Sequence, residues 1–273
     1  MVYSFNALGT AWWLTLFEEP ETADVICSDI RRFVNTFEQR YSRFKADSLV
    51  STLNRERVLL NPDEECRALL QYGKQLYLRS NCVFNMLTGH ILEARGYDAD
   101  YSFHDTSTGK EADLVPGDPI SDLLIDDQTV VLKRGNLDLG GFGKGYLIDL
   151  IADRLKTEHE QIEFLINGGG DMFGTLHQGK AIEIYLEHPT RPGTAIGTTS
   201  LSNQGFAASS PHKRQWTSQS GTTHTHIVGA LETSAIFLTA PSAVDADAFA
   251  TTLLQVDQPT ARQLAADNNL TIL

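Results

Sequence analysis

The chain has 273 residues, of which 41% are hydrophobic and 21% charged, and its formal net charge is −13 at pH 7. This composition is that of a globular protein, and the acidic excess argues against nucleic acid and anionic membranes as bulk partners. No run approaches the roughly 18 apolar residues of a membrane span, so we expect none.

Cys27, Cys66 and Cys82 are an odd number of cysteines without CxxC spacing, which favours core thiols over a disulfide framework. Residues 1–17 lack the basic start and the small-residue cleavage site of a signal peptide, and they favour a strand instead. We therefore expect a cytoplasmic protein. The alternative is a periplasmic or surface-anchored protein whose leader was removed before residue 1.

The first half of the chain is predicted to hold one strand and two helices. Aromatic and β-forming residues predict a strand over 10–17, and apolar residues at helical spacing predict a helix over 23–41. Asn61 and Pro62 are typical of a helix cap followed by a proline at the first helical position. The expected inward face of this second helix consists of Cys66, Leu69, Leu70, Gly73, Leu76 and Tyr77.

The second half is predicted to be richer in strands. Polar residues over 98–121 favour a long loop, and residues 123–134 favour a hairpin. After a helix that follows the glycines near residue 140, the remaining predicted elements are strands at 163–166, 181–187, 205–209 and 235–240 and helices from about Asp245 and from Pro259. This order predicts an α+β fold with mostly antiparallel sheet.

Residues 138–155, DLGGFGKGYLIDLIADRL, place four glycines around Lys144 at the start of an amphipathic helix. A helix N-terminus presents unpaired N–H groups, and glycines let its backbone approach an anion that Lys144 also attracts. Gly145 stands where a P-loop requires Ser or Thr, and the dinucleotide pattern GxGxxG is absent. Two interpretations stay open: a phosphate site, or a glycine-rich turn that packs the helix closely on a sheet.

Two further segments carry candidate ligand contacts. In INGGGDMFG (166–174), three glycines precede Asp171, which suits either a close approach to a ligand or a tight turn before a strand. In AVDADAFATTLLQV (243–256), Asp247 and Thr251 share one helical face, and their oxygens suit a hard cation such as Mg²⁺. Alternatively, Asp247 is a first-turn acid favoured by the helix dipole, and Asp245 caps the helix.

Taken together in this order, the segments resemble the ApbE-like flavin transferases, the FAD:protein FMN transferases. DLGGFGKGYLID resembles that family's DLGGIAKGYAVD, INGGGD its N-x-GGD turn, and DAFATTL its DALATAL helix. Four other matches are the MGT-x-W start at 7–12, the S-R-F…SEL…LN helix end at 41–54, AFDPTVGPL at 83–92 and the HI segment at 225–227. The resemblance covers roughly residues 7–256, and the common order of the motifs makes it specific.

The resemblance implies a single domain over 1–273, made of two α+β halves with mostly antiparallel sheets flanked by helices and with a ligand cleft between them. It also implies Mg²⁺-dependent transfer of FMN from FAD to a Thr or Ser hydroxyl of a target protein, with release of AMP. The implied FAD contacts are Leu8, Phe44, Val83, Phe84, Asn85, Asp138, Lys144 and Ile227. The implied metal ligands are the Gly141 carbonyl, Asp247 and Thr251, and the implied catalytic residues are His226 and Asp247.

The sequence departs from the family pattern at several positions. Leu8 replaces Met, Asn85 replaces Asp, and residues 209–212 replace S-G-x-Y. VGALETSAIF follows Ile227 in place of a DP-x-TG turn. Two alternatives therefore stay open beside the transferase: a Mg²⁺-dependent FAD hydrolase that gives FMN and AMP, and a non-catalytic FAD-binding protein. For His226, the alternative to a general base is a half-buried strand histidine near His224.

Overall fold

The computed structural model describes residues 1–18, 20–98, 102–106, 114–159, 162–213, 215–217 and 221–273. The chain divides into two compact units, each built from separate stretches of sequence. Unit 1 comprises Met1–Glu38, Phe142–Ser210 and Glu232–Leu273, and unit 2 comprises Gln39–Gly141 and Pro211–Leu231. The single domain over 1–273 and its ligand cleft stay predictions.

The described residues form helices and strands with the following bounds. The helices are α1 (Ala23–Tyr41), α2 (Leu49–Glu56), α3 (Glu64–Arg79), α4 (Gly89–Ala94), α5 (Gly143–Glu158), α6 (Ala243–Leu253) and α7 (Gln258–Asp267). The strands are β1 (Val2–Ala7), β2 (Thr10–Leu16), β3 (Val58–Leu60), β4 (Leu123–Ile125), β5 (Thr129–Leu132), β6 (Phe164–Gly168), β7 (Asp171–Thr175), β8 (Ile182–Glu187), β9 (Ala195–Leu201), β10 (Gln204–Ser209), β11 (Gln215–Thr217), β12 (Thr223–Thr225), β13 (Ile236–Ala240) and β14 (Thr271–Ile272).

Unit 1 is built on a seven-stranded sheet in the order β1-β2-β6-β7-β10-β13-β14, in which every neighbouring pair is antiparallel. Trp12, Leu14 and Leu16 alternate along β2 and are buried, as the period of two of a strand requires. Each such side chain contributes about 1.5–3 kcal/mol by leaving water. Helices α5 and α6 pack against this sheet and against each other. The predicted α+β fold with mostly antiparallel sheet is therefore confirmed.

Unit 2 contains the antiparallel sheet β3-β5-β4 and helices α2, α3 and α4. The expected inward face of α3 is confirmed for Cys66, Leu69, Leu70, Gly73 and Leu76, which are buried, while Tyr77 is half-buried. The predicted cap of this helix was wrong, because Asp63 is the N-cap and accepts the N–H of Cys66. Asn61 has a left-handed φ of 50°, and its N–H donates to the carbonyl of Gln128 beside the β4–β5 turn.

Several other predictions are settled by the fold. The strand over 10–17, the helix over 23–41 and the hairpin over 123–134 are confirmed. Of the predicted loop over 98–121, residues 99–101 and 107–113 lie outside the described residues, and 102–106 and 114–118 form neither helix nor strand. The sequence reading did not include α2, α4 or strands β3, β9, β11, β12 and β14.

The cysteines are only partly core residues. Cys27 and Cys66 are buried, and burial raises the pKa of Cys27 to about 12 and that of Cys66 to about 11. Cys82 is exposed, so the expectation of a core thiol was wrong there. It follows α3 with a left-handed φ of 65°, in a turn at the surface. Among the described residues, no helix combines the length and the apolar composition needed to cross a membrane.

Candidate functional site

A buried cluster of one lysine and two aspartates lies at the N-terminus of α5 in unit 1. The Nζ of Lys144 is 2.8 Å from Oδ2 of Asp171 and 3.2 Å from Oδ2 of Asp247. The side chains of Asp171 and Asp247 are only 7% and 5% exposed, and that of Lys144 is 23% exposed. The cluster therefore carries two carboxylates against one ammonium in a region of low dielectric.

The charge state of Lys144 follows from these contacts. Burial alone lowers the pKa of an ammonium, but the two carboxylates outweigh it and raise the pKa of Lys144 above its ordinary value. The lysine is therefore a fixed cation at neutral pH. Since two carboxylates face it, the cluster keeps a surplus of negative charge.

Helices α5 and α6 bind each other's N-termini through aspartates. Asp247 of α6 accepts the N–H of Gly145 at 3.0 Å, and Asp149 of α5 accepts the N–H groups of Ala243 and Val244, each at 2.8 Å. A carboxylate near a helix N-terminus satisfies unpaired N–H groups and interacts favourably with the dipole. The interpretation of Asp247 as a first-turn acid of its own helix was therefore wrong. The acid in the first turn of α6 is Asp245, and Asp247 instead accepts an N–H at the start of α5.

Gly145 makes this close approach possible. A Cβ at this position would lie 2.4 Å from the carbonyl oxygen of Ala243 and 2.6 Å from Cα of Val244. The packing interpretation of the glycines is therefore confirmed at Gly145, with helix α6 and not a sheet as the neighbour. A phosphate site at the same turn stays a prediction.

Asp149 is a partly buried carboxylate with N–H partners but no cationic partner among its hydrogen bonds. Burial, together with the charges of Asp153 and Asp245, raises the pKa of Asp149 to about 6, although the two N–H groups oppose the shift. Ser242 caps the same helix by accepting the N–H of Asp245. The alternative interpretation, in which Asp245 caps α6, was therefore wrong, because Ser242 is the N-cap.

Asp247 and Thr251 lie one turn apart on α6, as predicted. Asp247 is buried, and Thr251 is half-buried with its hydroxyl 3.4 Å from that of Ser209 on β10. Carboxylate and hydroxyl oxygens are hard donors, and Mg²⁺ typically takes one or two carboxylates and completes its shell with water and phosphate. The donor set and the surplus negative charge of the cluster fit such a cation.

Asp171 reaches the cluster through a glycine turn. Gly169 and Gly170 adopt left-handed φ values of 70° and 106°, and Asn167 accepts the N–H of Gly170 at 2.9 Å. Only glycine adopts such conformations freely, so the turn interpretation of INGGGD is confirmed. The turn brings Asp171 to the first position of β7, paired with Gly168.

Leu8, the remaining candidate of unit 1, lies in the two-residue turn between β1 and β2. Leu8 has a φ of 52° and Gly9 a φ of 69°. Two-residue hairpin turns favour left-handed residues such as Asn-Gly, so Leu8 is strained there. Its flavin contact stays a prediction.

In unit 2, Asp138 belongs to a buried ion pair. Nε of Arg43 is 2.5 Å from Oδ2 of Asp138, and these side chains are 4% and 10% exposed. Arg43 also donates to the carbonyl of Tyr97, and its guanidinium lies 4.2 Å from the centre of the Phe44 ring. Oδ1 of Asp138 accepts the N–H of Gly140. The flavin contacts assigned to Asp138 and Phe44 stay predictions.

The segment after α3 holds three further candidates. Asn85 accepts the N–H of Leu87 and donates to the carbonyl of Gly117, so its amide braces the loop. An aspartate in place of Asn85 has no N–H for the second bond. Phe84 is 5% exposed, and a Cβ on Gly141 would lie 3.0 Å from its ring. Val83 is half-buried. Their ligand contacts, and that of the Gly141 carbonyl, stay predictions.

His226 directly follows β12 and is half-buried. The hydroxyl of Thr225 donates to the carbonyl of Ile227 and accepts its N–H, which fixes the backbone on either side of His226. Ile227 is buried. The neighbouring His224 is on β12 itself, with its Nε2 2.8 Å from Oδ2 of Asp105. The catalytic role of His226 and the flavin contact of Ile227 stay predictions.

Sequence reasoning missed two residues of these clusters. Asp171 was recognised as the residue after a glycine turn but was not assigned to the site. The signal that could have identified it is an acidic residue directly after three glycines. Arg43 was passed over because a single arginine before Phe44 carries no sign that it is buried.

Known proteins are similar to this chain in sequence and fold. The ApbE family model matches residues 8–273. The chain is 26% identical over 152 residues to the FAD:protein FMN transferase of Haemophilus influenzae (52% of this chain, 43% of that protein) and 25% identical over 239 residues to that of Klebsiella pneumoniae (83% and 72%). A third FAD:protein FMN transferase, from Rhodobacter capsulatus, is 29% identical over 164 residues, or 59% of this chain and 31% of that protein. The alignments thus span less than half of the Haemophilus and Rhodobacter proteins.

Solved structures agree on the fold. The crystal structure of the ApbE protein from Thermotoga maritima matches with a TM-score of 0.86 at 20% identity, over 100% of this chain and 93% of that one. The flavin transferase ApbE from Vibrio cholerae matches with a TM-score of 0.81 at 16% identity, over 100% and 92%. Because the family model covers all but the first seven residues, this chain belongs to the ApbE family.

Proposed function

We propose that this chain transfers FMN from FAD to a Thr or Ser hydroxyl of a target protein and releases AMP. Three relatives carry the name FAD:protein FMN transferase, and the family model extends over nearly the whole chain. The observation that carries the proposal is the buried surplus of carboxylate beside Lys144. Such a surplus suits a cation that binds together with a diphosphate.

In this proposal Asp247, Thr251 and the Gly141 carbonyl hold Mg²⁺. When bound, the ion offsets charge on the diphosphate oxygens of FAD. Lys144 adds a fixed positive charge, which stabilises the negative charge that develops on the transferred phosphoryl group and on the leaving phosphate. The other residues that bind FAD in this proposal are Leu8, Phe44, Val83, Phe84, Asn85, Asp138 and Ile227.

The transfer is a substitution at phosphorus. The acceptor hydroxyl oxygen forms a bond to the phosphorus of the FMN half, and the bond from that phosphorus to the bridging oxygen breaks. AMP leaves with the bridging oxygen. His226 accepts the proton of the hydroxyl, a role that a neutral imidazole fills near neutral pH.

Mass spectrometry tests the proposal. The protein is incubated with FAD, Mg²⁺ and a peptide that carries an acceptor threonine, and a peptide with valine in its place is the control. We expect the mass of an FMN group on the threonine peptide alone, with AMP formed in step. AMP and FMN formed at the same rate without either peptide identify the hydrolase instead. FAD binding without any product identifies the non-catalytic protein.

A further inference from the structure

Asp171 has no part in the reaction proposed above, yet it makes the shortest contact of Lys144. Its Oδ2 lies 2.8 Å from the ammonium, whereas the oxygens of Asp247 lie 3.2 and 3.3 Å away. Asp171 and Asp247 are both buried, so water weakens neither interaction much. The ammonium is therefore held more closely by the carboxylate that was not assigned to the metal.

The two carboxylates differ in their surroundings. Asp247 lies one helical turn from the hydroxyl of Thr251, which gives an approaching cation a second oxygen ligand on the same helix face. Asp171 is the first residue of β7, and its backbone is fixed by the glycine turn and by the bond from Gly170 to Asn167. Asp247 is thus placed to exchange Lys144 for a cation, and Asp171 is placed to keep its contact with Lys144.

We propose that Asp171 is a positioning residue that holds Lys144 in the cluster when a divalent cation binds Asp247. The inference rests on the Mg²⁺ site of the proposed function. A cation at Asp247 repels the ammonium, and Asp171 retains it beside the diphosphate. Without Asp171, Asp247 is the one carboxylate left to Lys144 among its described contacts, and lysine and cation compete for it.

The test uses Mn²⁺ alone as the probe, without FAD, and measures its affinity from the electron paramagnetic resonance signal of free Mn²⁺. We expect Asp171→Asn to weaken Mn²⁺ binding about 10-fold, within the coupling range of contacting residues. Lys144→Met removes the competitor, so adding Asp171→Asn in that background has a much smaller effect. Asp171→Glu restores part of the affinity because it returns the charge.

An equal loss of Mn²⁺ affinity from Asp171→Asn in both backgrounds overturns the inference, because Asp171 then acts as a plain charge or as a direct ligand. A wild-type protein that binds no Mn²⁺ overturns it as well. Thermal unfolding of each variant without metal verifies that the fold is intact. If FMN transfer occurs but the coupling is absent, only this inference fails; if coupling occurs without transfer, only the proposed function fails.

Discussion

Two buried ion clusters, one in each unit, differ in how completely their charges are matched. In unit 2, Arg43 faces one buried carboxylate, that of Asp138, whose other oxygen accepts a backbone N–H. The second carboxylate near Arg43, that of Glu93, lies 3.7 Å away and is 40% exposed, so water screens its charge. In unit 1, Lys144 faces two carboxylates. A matched pair is complete as a structural element, whereas a surplus of buried carboxylate is costly unless another cation joins it. The difference supports the proposal that a cation binds at the Lys144 cluster.

The largest expected effect is on turnover, and it distinguishes the role of His226 from that of the Lys144 cluster. His226→Ala is expected to lower turnover by ~10²–10⁴-fold, the usual contribution of a general base, and to leave Mg²⁺-dependent FAD binding nearly unchanged. Asp247→Asn is expected to weaken FAD binding and turnover together, because it alters the cluster itself. Steady-state kinetics and FAD titration measure both, with His188→Ala as the control histidine. Wild-type turnover in His226→Ala would place the base elsewhere.

The next effect compares the two clusters directly. Arg43→Met is expected to lower the free energy of unfolding by about 3–5 kcal/mol, because it leaves Asp138 buried without its partner. Lys144→Met also removes the ammonium from two buried carboxylates, but Mg²⁺ is expected to recover part of the lost stability. Urea unfolding of both variants in Mg²⁺ and in EDTA measures the recovery. If Mg²⁺ restored the free energy of unfolding equally in both variants, cation binding would not be specific to the Lys144 cluster.

Asp149 extends the comparison to a carboxylate whose hydrogen bonds include no cation. Its pKa is about 6 in the folded protein against an ordinary 3.8, so the folded state binds this proton more tightly than the unfolded state does. The stability from this group is therefore fully present below about pH 4 and is lost as pH rises through about 6, by about 3 kcal/mol in total. Urea unfolding across this range should show a larger loss for wild type than for Asp149→Asn. Parallel curves would mean that Asp149 titrates normally.

The smallest effect concerns the spacing of the helices that carry the Lys144 cluster. Gly145→Ala is expected to cost about 1–3 kcal/mol of unfolding free energy, because its Cβ meets the backbone of Ala243. It should also weaken Mg²⁺-dependent FAD binding, since the Gly145 N–H binds Asp247. Gly197→Ala is the matched control, because its Cβ meets only Leu186 at an ordinary 3.5 Å. Equal stability of the two variants would show that the helices move apart easily.

The sequence predicted elements whose signal is local. The helical spacing of 23–41, the hairpin over 123–134 and the face shared by Asp247 and Thr251 depend on neighbours within a few residues, and each agrees with the structure. The cap of α3 was misplaced because the N–H of Asn61 bonds to distant Gln128, which no local pattern reveals.

Local sequence patterns could not predict which residues form the Lys144 cluster, because its members are far apart in the chain. Lys144 and Asp247 are 103 residues apart in the chain, and Asp171 joins them only because β7, α5 and α6 pack together. Lys144 was expected to face phosphate, and its pairing with both aspartates follows from the tertiary structure alone. Residue types and motif order predicted a site for a cation and a phosphate group, but the contacts of Lys144 with the two aspartates depend on tertiary packing.

In the proposed function, the surplus carboxylate at Lys144 binds a divalent cation together with FAD. Isothermal titration of FAD into the wild-type protein and Asp247→Asn, each in Mg²⁺ and in EDTA, tests it most directly. We predict tighter binding in Mg²⁺ for the wild type and nearly equal, weak binding in both conditions for Asp247→Asn. Equal affinity of the wild type in Mg²⁺ and EDTA would contradict the claim.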